Sequence, residues 1–596
     1  MSGYQAPLRD MRFVLHELAG LADISSLPGY DEATPDLVEA ILDESAKFTR
    51  DVLAPLNVSG DREGAQWTNK QVTTPAGFKE AYRQFVDNGW NALSGSTEFG
   101  GQGMPKVLSA AVQEMWQSAN MAFALCPMLT MGGIEALELY GSEEQKNLYL
   151  PKLISGEWTG TMNLTESQAG SDLAAVRTRA VPRGDGTYKL FGQKIFITYG
   201  DHDMAANTLH LVLARTPDAP PGVKGISLFA VPKFLVNDDG SLGARNDVYC
   251  VSIEHKLGIH GSPTCVMAYG DNGGAIGTLV GKENEGLKYM FVMMNAARYA
   301  VGLEGLAQGD RAYQKAVGYA RERVQGRAIE GSAEAVAIIH HPDIRRMLML
   351  MRAQNEAMRA VAYVVAAAWD HALRGPSAEE RAKQQAFVDL MIPVVKAWLT
   401  ETGNEVASLG LQIHGGMGYI EETGAAQIFR DARITTIYEG TTGIQALDLI
   451  GRKVARDGGA ALKALILRMH QTEQAAEQSG DANLQAMAMS LRHGIHELTA
   501  AGDHVARHYG EDVRAVAAGA APFLKLMGIV CGGWLMTRSA LIAREKVGDG
   551  ETAPFYSAKL ATARFYADHV LVAAQGLAAE VLNGGASVLA LDESQF

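Results

Sequence analysis

Cysteine is scarce. Cys126, Cys250, Cys265 and Cys531 are the four in 596 residues, far apart and with no CxxC pair. This argues against a disulfide framework and against thiolate metal spacing, so no metal is expected and a reducing compartment is the simple reading. Basic charge is also short. Lys+Arg number 53 against 67 Asp+Glu, a formal net charge of −14. That balance argues against a nucleic acid or an anionic membrane as the main partner, while leaving room for a local basic pocket around a phosphorylated ligand. The late apolar run is not continuous either. The most apolar late stretch is interrupted by Lys525, Gly532, Gly533 and Arg538, so no integral membrane segment is expected across a bilayer core of about 30 Å. The opening MSGYQAPLRDMRFVLHELAG has no basic region leading into an apolar core and a small-residue cleavage site. No secretory signal is expected, and the expected localisation is cytoplasmic. Neither tandem repeats nor low-complexity linkers occur.

At 47% hydrophobic and 20% charged, the chain has ample core, and its length favours about four domains or one large layered assembly. Residues 1–35 form a leader in which Phe13, Leu15, Leu18 and Leu21 suggest a small helix packed on something else. Residues 36–156 repeat apolar positions at threes and fours, the mark of a helical domain, and Ser142 is a plausible N-cap. The period changes near residue 157. Short β-rich runs punctuated by Gly, Pro, Asn and Asp continue to about 284, without helices between them. They predict an antiparallel barrel or sandwich. Helical periodicity returns over 285–454 and predicts a four-helix bundle, its third helix bent or begun near Pro393. Residues 455–596 are Ala-rich and read as an appended helical domain. The expected fold class is therefore α+β, mainly α.

Several segments inside this frame have the chemistry of a site. Met162-Asn163-Leu164-Thr165-Glu166-Ser167-Gln168-Ala169-Gly170-Ser171-Asp172 ends a strand in small and hydroxyl residues. Such a loop lets N–H groups and hydroxyls approach a flat polar ligand or a phosphate, although a plain Gly-Ser turn reads similarly. GQKIFITYGD, residues 192–201, is a strand carrying Phe196, Ile197 and Thr198. Asn295 and Arg298 are one helical turn apart and share a face. Arg323 follows Arg298 by 25 positions, with Gln325 beside it. Gln412, Gly415, Gly416 and Gly418 form a loop whose backbone can lie against a ligand. Tyr438-Glu439-Gly440-Thr441 places one carboxylate before a glycine and two hydroxyls.

In this order, over residues 36–454, these segments resemble the acyl-CoA dehydrogenase family. The leader and the C-terminal helices are similar to a larger bacterial subgroup that includes enzymes of longer acyl chains and of 3-methylmercaptopropionyl-CoA. The resemblance implies FAD as cofactor. Met162, Leu164 and Thr165 would contact the flavin, and Ser171 would lie between flavin and substrate. Phe196, Ile197 and Thr198 would pack on the isoalloxazine ring. Asn295 and Arg298 would face the acyl-CoA. Arg323 and Gln325, with Gln412, Gly415 and Gly416, would reach the FAD of a neighbouring subunit, implying a homodimer or tetramer. An arginine suits a pyrophosphate because its planar fork donates two parallel hydrogen bonds. This chain has Gly326-Arg327 where the family often has Phe-Gly, and Tyr199 where it has Asn.

By the same resemblance Glu439 is the catalytic base. Tyr438 and Gly440 lie on the substrate side and Thr441 at the cofactor. Glu304, on the helix of Arg298, is the alternative base. The α-proton of a thioester is weakly acidic, so its carbonyl oxygen needs stabilisation as charge develops. A carboxylate buried there should have a raised pKa, which suits a general base. The implied reaction is α,β-dehydrogenation of a medium- to long-chain acyl-CoA in fatty-acid β-oxidation, with electrons passed to an electron-transferring flavoprotein. The alternatives are a 3-methylmercaptopropionyl-CoA dehydrogenase, an acyl-CoA oxidase, and a flavin-bearing, nucleic-acid-binding relative.

Overall fold

The structure is a computed structural model and describes residues 3–237, 239–548 and 553–596. It divides into two compact units. The first comprises 1–46, 105–118 and 301–596, and the second 47–104 and 119–300. The fold class is α+β and mainly helical, with a single large sheet among the described residues.

In the second unit the sheet runs in the order Val248–Ile253, Thr264–Tyr269, Thr187–Thr198, Ala275–Val280, Ser227–Pro232, Asn207–Ala214, Trp158–Asn163, with Arg179–Pro182 added beside Thr187–Thr198. The pairing is antiparallel except at one end, where Trp158–Asn163 runs parallel to Asn207–Ala214. Both of these strands are buried along their whole length, as parallel strands usually are. The long strand changes partners midway. Tyr188, Lys189 and Leu190 pair with Ala275–Val280, whereas Gly192, Gln193 and Lys194 pair with Thr264–Tyr269. Gly192 sits at the change with φ +154, and a Cβ there would meet Thr178 Oγ1 at 2.5 Å. Leu190, Ile197, Val212, Phe229, Val248, Met267 and Tyr269 fill the core. Ser142 caps Glu143–Ser155 as expected: its Oγ accepts from Gln145 N at 3.1 Å, and Gln145 Oε1 accepts from Ser142 N at 3.0 Å. The helix Lys106–Tyr140 is interrupted at Asn120 (φ −158). Asn120 Oδ1 accepts from Phe123 N at 3.1 Å and recaps the second half.

The first unit is built on long helices. Residues 301–322 come from the helix Gly286–Glu322, followed by Pro342–Arg374 and Ala378–His414. The last runs through Pro393 as one element. Close approach is enforced by glycine, since a Cβ on Gly403 would meet Gly305 O at 2.2 Å. The helix expected after Gly443 is short: Thr442–Asp448, continued by a wider π turn over Leu449–Ala455 and stopped at Gly458-Gly459. The C-terminal helices are Ala460–Gln478, Ala482–His508, Ala520–Lys546, Ala553–His569 and Ala574–Asn583, with shorter pieces between. Lys106–Tyr140 and Ala520–Lys546 are long and apolar enough to cross a membrane, but 78% and 83% of their most apolar windows are buried in the fold. All four cysteines are free and buried.

The leader is tied in by buried charge. Arg359, 2% exposed, donates to Asp10 at 2.5 Å, to Glu114 at 2.6 Å and to Asp310 at 3.3 Å. Tyr363 also donates to Glu114, and Lys559 of the C-terminal helices pairs with Glu356 and Asp10. Tyr30 donates to Asp370, which itself accepts from Lys106 N and Val107 N and so caps the next helix. Phe13 packs edge-on to Phe555, centroids 5.8 Å apart. Replacing Arg359 by Met leaves three carboxylates buried without their common cation. It should cost about 3–5 kcal/mol, read as a lower midpoint of thermal unfolding; an unchanged midpoint would refute this role.

Candidate active site

The strand-end loop of the second unit is held by one carboxylate that the sequence reading passed over. Glu166 Oε1 accepts from Lys194 Nζ at 2.7 Å and from Thr178 Oγ1 at 2.6 Å, and Oε2 accepts from Arg177 N at 2.8 Å and Gln168 Nε2 at 2.6 Å. Burial alone would raise this carboxyl, but the Lys194 ammonium and these hydrogen bonds outweigh it and hold it down to about 2. The loop from Glu166 to Thr178 is thus fastened to the strand beneath it. The signal was a Glu inside the hydroxyl-rich loop and a Lys in the next strand, but the two are 28 positions apart.

Above that anchor, Thr165 O accepts from Ile195 N at 2.9 Å. Met162 and Ile197 are buried, Leu164, Thr165 and Thr198 half-buried, and Ser171 exposed. Phe196 is 59% exposed and adopts φ +59. An aromatic ring left open at a left-handed position is unusual. Tyr199 (φ +49) is buried and donates to Ala122 O at 2.7 Å, while Thr198 O accepts from Thr161 Oγ1 at 2.7 Å. The strand end is rigidly held, with an uncovered ring beside it and a polar edge at Leu164–Thr165. An apolar face next to hydrogen-bonding backbone fits a flat heteroaromatic ring such as a flavin. Arg298, also in this unit, is 4% exposed and donates to Asn295 Oδ1 at 3.5 Å. It is no surface arginine.

The first unit carries the other candidates. Arg323 Nη2 donates to Gln325 Oε1 at 3.3 Å, and Gln325 O contacts His341 Nε2 at 2.7 Å. Arg323, Gln325, Gln412, Gly415 and Gly416 are all exposed. A Cβ on Gly415 or Gly416 would meet nothing within 4 Å, so their backbone is open to a partner.

Glu439 follows a turn pinned from several sides. Asn404 Nδ2 donates to Ala432 O at 2.9 Å, Gln445 Nε2 donates to Glu439 O at 3.2 Å, and Thr441 Oγ1 accepts from Ile444 N at 3.3 Å, capping Thr442–Asp448. Glu439 is half-buried with φ +54, followed by Gly440 at φ +91. A non-glycine residue in this region costs on the order of 1–3 kcal/mol and persists only where the surroundings impose it. Gln445, wholly buried, is a residue the sequence reading missed; one glutamine six positions on gives no local signal.

Tyr438 donates its hydroxyl to Glu304, which is wholly buried. Burial pushes the Glu304 carboxyl up to about 8, against the Tyr438 hydrogen bond and the Lys396 ammonium, with the Glu439 charge adding to the rise. At neutral pH Glu304 therefore keeps its proton and is poorly suited to accept another.

The family models agree with the order of elements. "Acyl-CoA dehydrogenase, N-terminal domain" matches residues 36–157, the middle domain 161–271 and the C-terminal domain 284–455; "Acetyl-CoA dehydrogenase C-terminal like" matches 465–592. A 3-methylmercaptopropionyl-CoA dehydrogenase of Ruegeria pomeroyi is 50% identical over 98% of this chain and 99% of its own. The chain belongs to the acyl-CoA dehydrogenase family. Members of this family are FAD-dependent oxidoreductases, and the chain is one of them. The broad-specificity linear acyl-CoA dehydrogenase FadE5 of Mycobacterium tuberculosis is 35% identical over the full length of both. Among solved structures, Caenorhabditis elegans ACDH-11 in complex with C11-CoA has the same fold at TM-score 0.78 and 20% identity, covering 96% of this chain and 92% of that one. An acyl-CoA dehydrogenase of Bacillus anthracis complexed with FAD does so at TM-score 0.74 and 22% identity, covering 94% and 90%.

Glu304 gives a pH test. Its carboxyl loses the proton near 4.5 when unfolded and at about 8 when folded. Its contribution to stability is present in full below the unfolded value and lost as pH rises through the folded one. From about pH 5 to about pH 9 the unfolding temperature of the wild type should fall relative to that of Glu304→Gln; parallel curves would contradict the assignment.

Proposed function

We propose that this protein removes the α- and β-hydrogens of a short or thioether-bearing acyl-CoA such as 3-methylmercaptopropionyl-CoA, giving the 2-enoyl thioester. The observation that carries this reading is the 50% identity to the Ruegeria pomeroyi enzyme, spread over nearly the whole of both chains. A medium- to long-chain fatty acyl-CoA, oxidised in β-oxidation, is the second reading. The full-length similarity to a broad-specificity linear acyl-CoA dehydrogenase supports it.

In the proposed mechanism Glu439 takes the α-proton. Its left-handed backbone, fixed by Gln445 on its carbonyl, sets the direction of the carboxylate. The Glu439 N–H would stabilise the thioester oxygen as charge develops there. Arg298 and Asn295 order the acyl-CoA, with Tyr438, Gly440 and Ser171 shaping its reacting end. Bound FAD supplies the acceptor for the β-hydride. Met162, Leu164, Thr165, Ser171, Phe196, Ile197, Thr198 and Thr441 would hold it. The exposed Arg323, Gln325, Gln412, Gly415 and Gly416 would reach the cofactor of a second subunit, making a homodimer or tetramer the working form. We assign the chain four folded domains, 36–156, 157–284, 285–454 and 455–596, after the leader 1–35. An electron-transferring flavoprotein is the proposed electron acceptor and the cytoplasm the proposed compartment.

Anaerobic titration of the purified yellow protein with acyl-CoAs of increasing length, and with 3-methylmercaptopropionyl-CoA, tests substrate class. The proposal expects the thioether substrate to bleach the oxidised flavin band fastest and at the lowest concentration. Preferential bleaching by long straight chains would replace it with the second reading. Fast reoxidation by air with peroxide release would indicate an oxidase.

A further inference from the structure

The Tyr438 turn rests on Glu304, the alternative base, whose retained proton leaves it without that task. Glu304 projects from the part of its helix that lies in the first unit, and no part of it reaches solvent. One oxygen, Oε2, accepts the Tyr438 hydroxyl. The other, Oε1, is buried with no hydrogen-bond partner. Lys396, from the neighbouring helix Ala378–His414, is equally buried. Tyr438 and Glu439 approach from the turn, and these three are the charged or titratable groups that act on Glu304.

An ionised carboxylate in this position would keep most of its lone pairs dry and would face a second carboxylate. A neutral acid avoids both costs and still accepts from tyrosine. Two carboxyl groups in one site with environments that push them apart usually divide the work between them. Two of the turn's fastenings lie on either side of Glu439. Behind Glu439 stands Gln445 on its carbonyl, and ahead of it stands Glu304 on the Tyr438 hydroxyl. Release of either fastening frees a residue held at φ +54.

We propose that Glu304 is a positioning residue: a neutral carboxylic acid that anchors Tyr438 and thereby holds Glu439 in its left-handed turn, aimed for proton abstraction. This rests on the reading of Glu439 as the base, and it concerns what aims that base. The ionisation of Glu304 at about pH 8 gives the arrangement a signature that a purely structural hydrogen bond does not have.

The test is anaerobic stopped-flow bleaching of the FAD-loaded enzyme by its best acyl-CoA, in Tyr438→Phe, Glu304→Leu, Glu304→Gln and Glu439→Gln. Tyr438→Phe and Glu304→Leu should lower the bleaching rate constant on the order of ten- to a hundredfold, because small misplacements of a catalytic group are costly. In Glu304→Leu the acyl-CoA dissociation constant should stay within about threefold, since an interaction that aims the base acts on the chemical step. Glu304→Gln, neutral and still an acceptor, should restore most of what Glu304→Leu loses. The wild-type rate should bend near pH 8 and that of Glu304→Gln should pass through without the bend. Wild-type bleaching in Tyr438→Phe, which adds no cavity, overturns the proposal even if Glu304→Leu fails to fold; so does an identical bend in Glu304→Gln. Full bleaching in Glu439→Gln would sink the base assignment itself. A silent Glu439→Gln beside a fully active Tyr438→Phe would sink only the positioning role.

Discussion

A carboxyl group taken out of water must be paired or protonated, and this molecule depends on both solutions. Asp10 and Glu114 are ion-paired around Arg359, joining the leader to the bundle, and Lys559 brings in the C-terminal helices. Glu166 is paired with Lys194 and gathers five donors that set the strand-end loop. Glu304 is buried with one donor, and burial keeps its proton on. The first two shape the scaffold; the third lies against the turn that carries Glu439. Removing a charge from a buried pair leaves its partner exposed to the full cost of desolvation, so each of these groups is fixed by the others around it.

Much of the architecture was legible because it is written in periodicity. The shift from threes and fours to short β-rich runs near residue 157, and back near 285, is a local signal. So is the Ser142 cap. The parallel pairing of Trp158–Asn163 was not legible. A buried strand reads the same whichever way its neighbour runs. The shortness of the helix after Gly443 was hidden too, since its apolar pattern continues through the π turn.

At the candidate site, sequence motifs named the residues proposed to face a ligand, and the structure adds the residues that hold them. Gln445, Glu166 and Lys194 have no motif of their own; each acts through a contact that only the folded chain makes. Arg298 could be read from sequence as surface or site, and its burial removes the surface reading. Thr441, expected at a cofactor, also caps the helix that follows Glu439. The same short segment therefore carries the proposed base, the end of one turn and the start of the next helix. That density of roles explains why so much of the surrounding structure is spent fixing a single left-handed residue.

The central claim is that Glu439 removes the α-proton. Exchange of that proton with solvent reports it directly, independent of electron acceptor. With an acyl-CoA in deuterium oxide, wild-type enzyme should place deuterium at the α-carbon, followed by proton NMR. Glu439→Gln should bind the same ligand and show no exchange above buffer. Exchange at the wild-type rate in that variant would contradict the account.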